Sequence, residues 1–181
     1  MRFDTFCIQR SRLPKADYPD GREIDAYDGH SILFGDWKEY HGEVELVGTF
    51  RLTPCHLGYF LKDGIFGDQR FVLPEISGGE EVRLDTTAEA SRLVAPSVQL
   101  DSGKRVLVSM LLFSALLRKS NELGLRHWVY AANPRQVDNM RHDGWKFERL
   151  INGTHEYYGE EAEAGILALR DYDFVCRRLA P

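Results

Sequence analysis

Glu89-Ala90-Ser91-Arg92, read with Arg22-Glu23-Ile24-Asp25-Ala26-Tyr27-Asp28 and with Gly48-Thr49-Phe50-Arg51-Leu52, decides how the rest of this chain is understood. Carboxylates and guanidiniums alternate with apolar residues in stretches that read as strands or strand edges, so some of the charges are expected to be partly buried. A buried carboxylate needs a partner, and the planar fork of Arg51 or Arg92 binds one two-pronged. Such a network forms one wall of a polar pocket. It names no reaction by itself.

Outward from these stretches, the sequence reads as one domain over residues 1–181, long enough for a single substantial core. His30–Phe34 is expected to be a first strand, Asp36–Glu43 a turn, and Val44–Leu52 a second, alternating strand. Residues 55–76 look irregular, a segment suited to covering a cleft. Glu89–Ala95 is expected to be a strand and Lys104–Leu123 a core helix ended by Gly124. His127–Ala132 is a strand, and Pro134–His142 a helix with proline at its first position. Gly144–Phe147 and His155–Leu169 supply one or two last strands. Strands in the order β-β, then β-α-β-α-β, predict a mixed sheet with helices on both faces.

Composition narrows the function. A net charge of -5 disfavours wholesale binding of nucleic acid or an anionic membrane. The run Val106–Leu117 is only twelve residues long, short of the ~20 that a bilayer demands. Its apolar residues nearly encircle a helix, predicting one that is largely buried, with no integral membrane segment. Cys7, Cys55 and Cys176 suit a reducing cytoplasm and form neither a disulfide framework nor a metal-ligand pattern, so no metal is expected. Cys55-His56 invites a nucleophile reading, but neighbours in sequence usually point apart. Arg2, Arg10, Arg12, Lys15 and Arg22, with Arg118, Lys119 and Arg126, read either as solvated surface or as a local dock for an acidic partner.

The ordered set Asp17-Tyr-Pro-Asp-Gly-Arg-Glu-Ile-Asp25-Ala-Tyr-Asp28-Gly-His30-Ser31, then Val47-Gly-Thr-Phe-Arg51-Leu52, then Glu89-Ala-Ser-Arg92, resembles the autoinducer-synthase-like branch of the GNAT-type N-acyltransferases. Its Tyr-Pro-Asp-Gly and His-Ser elements are most similar to long-chain N-acyl amino acid synthases and exosortase-system-associated acyltransferases. The match runs in order from Arg2 to about Tyr158. The resemblance implies the GNAT-like α/β three-layer sandwich, a mixed, mostly antiparallel sheet whose central strands splay to admit two substrates. In this branch an Arg-x3-Phe pair, here matched by Arg2 and Phe6, follows a longer helical lead, and an aromatic residue stands where this chain has Arg12.

The chemistry that the resemblance implies is transfer of a fatty acyl group from a thioester to the α-amino group of an amino acid. The amine must be neutral, and an α-amino pKa of ~7.7–8 asks only for a modest base. Glu89 is the candidate to accept that proton or to orient the substrate, the alternative being a structural partner for Arg51 or Arg92. Arg51 and Arg92 are expected to hold Glu23, Asp25 and Asp28, although Arg92 is equally suited to a substrate carboxylate. Backbone N–H groups near Leu93 and Val94, where GNAT-type strands bulge, are expected to meet the oxyanion; one such donor is typically worth ~2.7–4 kcal/mol. Phe66, Phe71, Met110, Phe113 and Trp128 are candidates to line an acyl tunnel.

The donor is read from the stretch Gln99-Leu-Asp-Ser-Gly-Lys-Arg105, which has one glycine and an acidic Asp101 where coenzyme A-binding GNAT proteins have a glycine-rich turn. That favours acyl-carrier protein, with Ser102, Gly103 and Lys104 meeting one phosphopantetheine phosphate and Arg105, Arg118 or Lys119 meeting the acidic carrier. No permanently bound cofactor is expected. An acyl-homoserine lactone synthase using S-adenosylmethionine, a coenzyme A-dependent acetyltransferase and a non-catalytic sensor of acyl ligands remain alternatives.

Overall fold

The computed structural model describes residues 1–2, 4–9, 13–40, 42–59, 61–62, 82–95, 97–99, 105–142, 144–150, 154–157 and 160–172. The strands are β1 (Ile32–Tyr40), β2 (Glu43–Pro54), β3 (Thr87–Val94), β4 (Ser97–Gln99), β5 (Arg105–Leu107), β6 (His127–Ala132), β7 (Phe147–Arg149), β8 (His155–Tyr157) and β9 (Glu160–Ala168). The helices are α1 (Val108–Glu122) and α2 (Pro134–His142). Seven strands form one sheet in the order β1-β2-β3-β6-β9-β7 with β8 also on β9, while β4 and β5 pair apart from it. All pairings are antiparallel except β3 with β6. The expected mixed, mostly antiparallel GNAT-like sheet is present.

Side-chain alternation assigns the faces. Phe50, Leu52, Ala88, Ala90, Trp128 and Leu167 share one core with Val108, Leu112, Leu116 and Leu117 of α1. Ala164 and Ile166 alternate onto the opposite face, among Cys55, Tyr59, Leu61 and Val129. Glu163 shares the parity of Leu167, and Arg141 reaches it from α2, so α2 lies on the same side as α1. The opposite face carries a short π-helical turn, Asp4–Gln9, whose Phe6 and Cys7 pack with Leu13 and Val94. Gly48 marks where α1 settles on β2: a Cβ there would stand 2.3 Å from Val108 Cγ1, so any larger residue would push the helix away.

The end of β1 and the start of α1 depart from the sequence reading. The polar run Asp36–Tyr40 continues β1 instead of turning, because β1 is an edge strand whose Trp37 and Glu39 face water. The chain reverses between Tyr40 and Glu43, where Gly42 has φ +81°. Arg105–Leu107 pairs as β5, and α1 begins at Val108. Its end follows expectation: Gly124 adopts φ +68°, and the Leu125 N–H donates to the Ser120 carbonyl at 2.9 Å. α1 is also less enclosed than its composition implies, since Met110 and Leu111, on the side away from Leu112 and Leu116, are 46% and 50% exposed. Among the described residues, no helix is long and apolar enough to cross a membrane.

Candidate active site

Three guanidiniums and three carboxylates interlock on the face opposite α1. Arg51, fully buried in the middle of β2, donates from Nη1 to both oxygens of Asp25 at 2.7 Å and to Asp28 at 3.0 Å. Arg92 donates from Nε to Glu23 at 2.9 Å and from Nη2 to Asp25 at 3.1 Å. Arg2 reaches Glu23 through Nε and takes both oxygens of Asp28 at 3.0 and 3.2 Å. The loop that presents the acids is tied to itself: the Tyr27 N–H donates to Asp25 Oδ1 and the Asp25 N–H to Asp28 Oδ2. Burial alone would raise the Asp28 pKa, but hydrogen bonds from Arg2, the Asp25 amide and Arg51 outweigh it and hold the group below the ordinary aspartate range.

Glu89 is the fourth carboxyl, and it shares Arg51 with Asp25 and Asp28. Its side chain is wholly buried; Oε2 accepts the Leu61 N–H at 2.7 Å, while Oε1 stands 3.7 Å from Arg51 Nη2. Among the described residues, neither of those last two atoms has a hydrogen-bond partner. Burial raises the Glu89 pKa, against the lowering effects of the Leu61 amide, Ser91, Arg51 and Arg92. A carboxyl poised upward by desolvation has the character of a proton acceptor.

The backbone next to Glu89 opens a cleft. β3 and β6 pair only through Thr87↔His127, Ala88↔Trp128 and Glu89↔Val129, after which the two strands part. On its other side β3 bulges. Arg51 pairs with Ser91 and Thr49 with Val94, so Arg92 and Leu93 both face Phe50. Arg92 sits in the left-handed region at φ 59°, a conformation costing a non-glycine residue ~1–3 kcal/mol. Its bonds to Glu23 and Asp25 hold it there, so the network fixes the shape of the strand next to the opening. A cavity of about 140 Å³ occupies the gap, bordered by Glu89, Ser91, Arg92 and Leu93 on β3 and by Trp128, Tyr130, Ala131 and Ala132 on β6.

Of the residues singled out from sequence, Glu89, Arg92, Leu93, Phe113 and Trp128 border this cavity. Glu23, Asp25, Asp28 and Arg51 do not; they stand behind Arg92 and Glu89 as the layer that positions them. Val94 turns its side chain into the N-terminal cluster, and Met110 faces away from the cavity. Arg118 and Lys119 lie near the far end of α1, and Lys119 is paired with Glu122. Phe66, Phe71, Ser102, Gly103 and Lys104 lie outside the described residues, as does the side chain of Arg105. The Cys55-His56 pair is inert as a nucleophile: the Cys55 thiol is buried, and burial pushes its pKa well upward.

Sequence reading missed Arg2 as a network member, and Phe6, Phe50, Leu61, Tyr130 and Phe147 as cleft residues. The alternation of Trp128, Tyr130 and Ala132 on one strand face is the signal that points to two of the wall positions.

No curated protein matches the chain by sequence. Among solved structures, the coenzyme A-dependent acyl-homoserine lactone synthase MesI is similar at 22% identity and TM-score 0.68, covering 98% of this chain and 82% of its own. The corresponding synthase BjaI, with S-adenosylmethionine and isopentyl-CoA, is similar at 17% identity and TM-score 0.66, over 98% and 77%. FeeM, an N-acyl amino acid synthase from uncultured soil microbes, is similar at 17% identity and TM-score 0.55, over 91% of each chain. Residues 1–109, from the N-terminal turn through the acid–arginine network to the start of α1, match the family model described as "Acetyltransferase (GNAT) domain". The splayed strands, the bulge beside them and that match place the chain in the GNAT acetyltransferase-domain family, as an acyltransferase.

Proposed function

We propose that the chain is a single N-acyltransferase domain that moves an acyl group from the phosphopantetheine thioester of acyl-carrier protein to the α-amino group of an amino acid in the cytoplasm. The observation that carries this reading is Glu89, buried and 3.7 Å from a guanidinium it shares with Asp25 and Asp28, at the point where β3 and β6 part. The neutral amine attacks the thioester carbon. Glu89 takes the proton lost by the amine nitrogen, and main-chain N–H groups at Leu93 and Val94 meet the oxyanion. Collapse of the tetrahedral intermediate breaks the C–S bond, the proton held by Glu89 passes to the departing sulfur, and the thiol leaves as holo-carrier protein. Arg51 and Arg92, locked to Glu23, Asp25 and Asp28, are positioning residues. Ser102, Gly103 and Lys104 are assigned to the pantetheine phosphate, and Arg105, Arg118 and Lys119 to the carrier.

A second reading keeps the same step with coenzyme A as carrier and S-adenosylmethionine as amine. The likeness to MesI and BjaI favours it. Both readings meet one assay. Protein supplied with acyl-carrier-protein and coenzyme A thioesters, pooled amino acids and S-adenosylmethionine is expected to release thiol and to form N-acyl amino acids. Lactone products from the coenzyme A thioester would move the assignment to the second reading, and no thiol release from any donor would end both.

A further inference from the structure

The cleft has an aromatic floor. Trp128 stands beside the last rungs of the β3–β6 ladder, at the narrow end of the opening. Its indole is buried, and Nε1 donates to Ser120 Oγ of α1 at 2.9 Å, which fixes the ring across that end. Phe113 packs on Trp128 at 6.3 Å between ring centroids and meets Phe50 edge-on at 5.0 Å. Behind Phe113 the space is already filled, since Trp145 lies 5.3 Å away and stacks on Tyr172 at 4.5 Å. On the opposite face, Leu61 closes over Glu89 through its N–H. An acyl chain whose carbonyl sits at the β3 bulge and which points into the narrow end therefore runs into a pinned aromatic wall.

The volume agrees with that geometry. The cavity measures about 140 Å³, and an engineered apolar cavity of about 150 Å³ holds a single benzene. Resting on the N-acyl transfer proposed above, we infer that Trp128 and Phe113 restrict the donor to a compact acyl group, branched or aryl and no larger than about one benzene ring. The long fatty chain that the family resemblance implies is then excluded by the floor.

The test is a donor series of isovaleryl, benzoyl, octanoyl and palmitoyl thioesters, each on coenzyme A and on acyl-carrier protein, read as kcat/KM for thiol release. The native protein is expected to favour isovaleryl and benzoyl over palmitoyl by about tenfold or more, since even one surplus methylene against a hydrophobic pocket wall costs about that factor. Trp128→Ala should move the optimum toward octanoyl. Because Trp128 also supports the core, Phe113→Leu serves as the milder variant, with its fold checked by circular dichroism, and should shift the profile the same way. Preference of the native protein for palmitoyl, or an unshifted profile in folded Phe113→Leu, would overturn the inference while leaving acyl transfer intact. Failure of every thioester to react would remove the transfer reading and this inference together.

Discussion

At the residue scale, the account turns on Glu89 and on the imbalance around it. Among the described residues, Arg2, Arg51 and Arg92 face four buried or half-buried carboxyls, Glu23, Asp25, Asp28 and Glu89, and Glu89 makes the longest contact, 3.7 Å from Arg51 Nη2. Its raised pKa follows from desolvation, which outweighs the lowering effects of the Leu61 amide, Ser91, Arg51 and Arg92. As a general base, Glu89 works only when ionised, so kcat/KM should rise as pH passes upward through its folded pKa. The substrate amine adds a second rise near its own pKa of ~7.7–8. Glu89→Gln should remove the first limb, keep the second, and lower kcat/KM by ~10²–10⁴-fold. A pH profile of the variant with both limbs intact would show that Glu89 is only structural. Glu89 and Arg92 were legible in the sequence because they alternate with apolar residues. Arg2 was not, since its partners lie 21 and 26 residues away and nothing beside it signals burial.

At the element scale, the loop carrying Glu23, Asp25 and Asp28 ties the N-terminal turn to β2 and β3. Removing one partner from a buried ion-pair network leaves the others uncompensated, typically at ~3–5 kcal/mol. The pH dependence gives a sharper test. The Asp28 pKa is lowered on folding, so its contribution is complete above the unfolded aspartate pKa of ~3.9 and disappears as pH falls through the lower folded value. Asp28→Asn should therefore melt below the native protein at neutral pH, and the gap in Tm should close as the solution is acidified below about pH 4. A gap that stays constant from neutral pH into strong acid would deny the ion pairs their role. Helix α2 and strand β6 were readable to the residue because proline, a periodic pattern and short flanking loops agree there. The edge strand β1 was not: its charged far half looks like a turn until the solvated face of an edge strand explains it. The length of α1 was overread for a similar reason, because an apolar stretch says nothing of where pairing as β5 gives way to helix.

At the scale of the whole molecule, the proposed reaction depends on a gap that no local pattern encodes. The parallel pairing of β3 with β6 stops after three rungs, and on its β2 side β3 bulges at Arg92 and Leu93. The alternation of β and α segments gave the class of sheet, and the ordered acid–arginine motifs suggested the family architecture. The depth and floor of the cleft depend on contacts between residues far apart in sequence, such as Phe50 with Phe113 and Trp128 with Ser120. The central claim is that the acyl group occupies the β3–β6 opening, with its carbonyl beside the bulge and Glu89 at the vertex. A crystal structure with a non-hydrolysable acyl-pantetheine thioether tests it most directly. The acyl carbons are predicted between Leu93 and Tyr130, ending against Trp128; an acyl chain bound elsewhere, with the opening filled by side chains, would contradict the account.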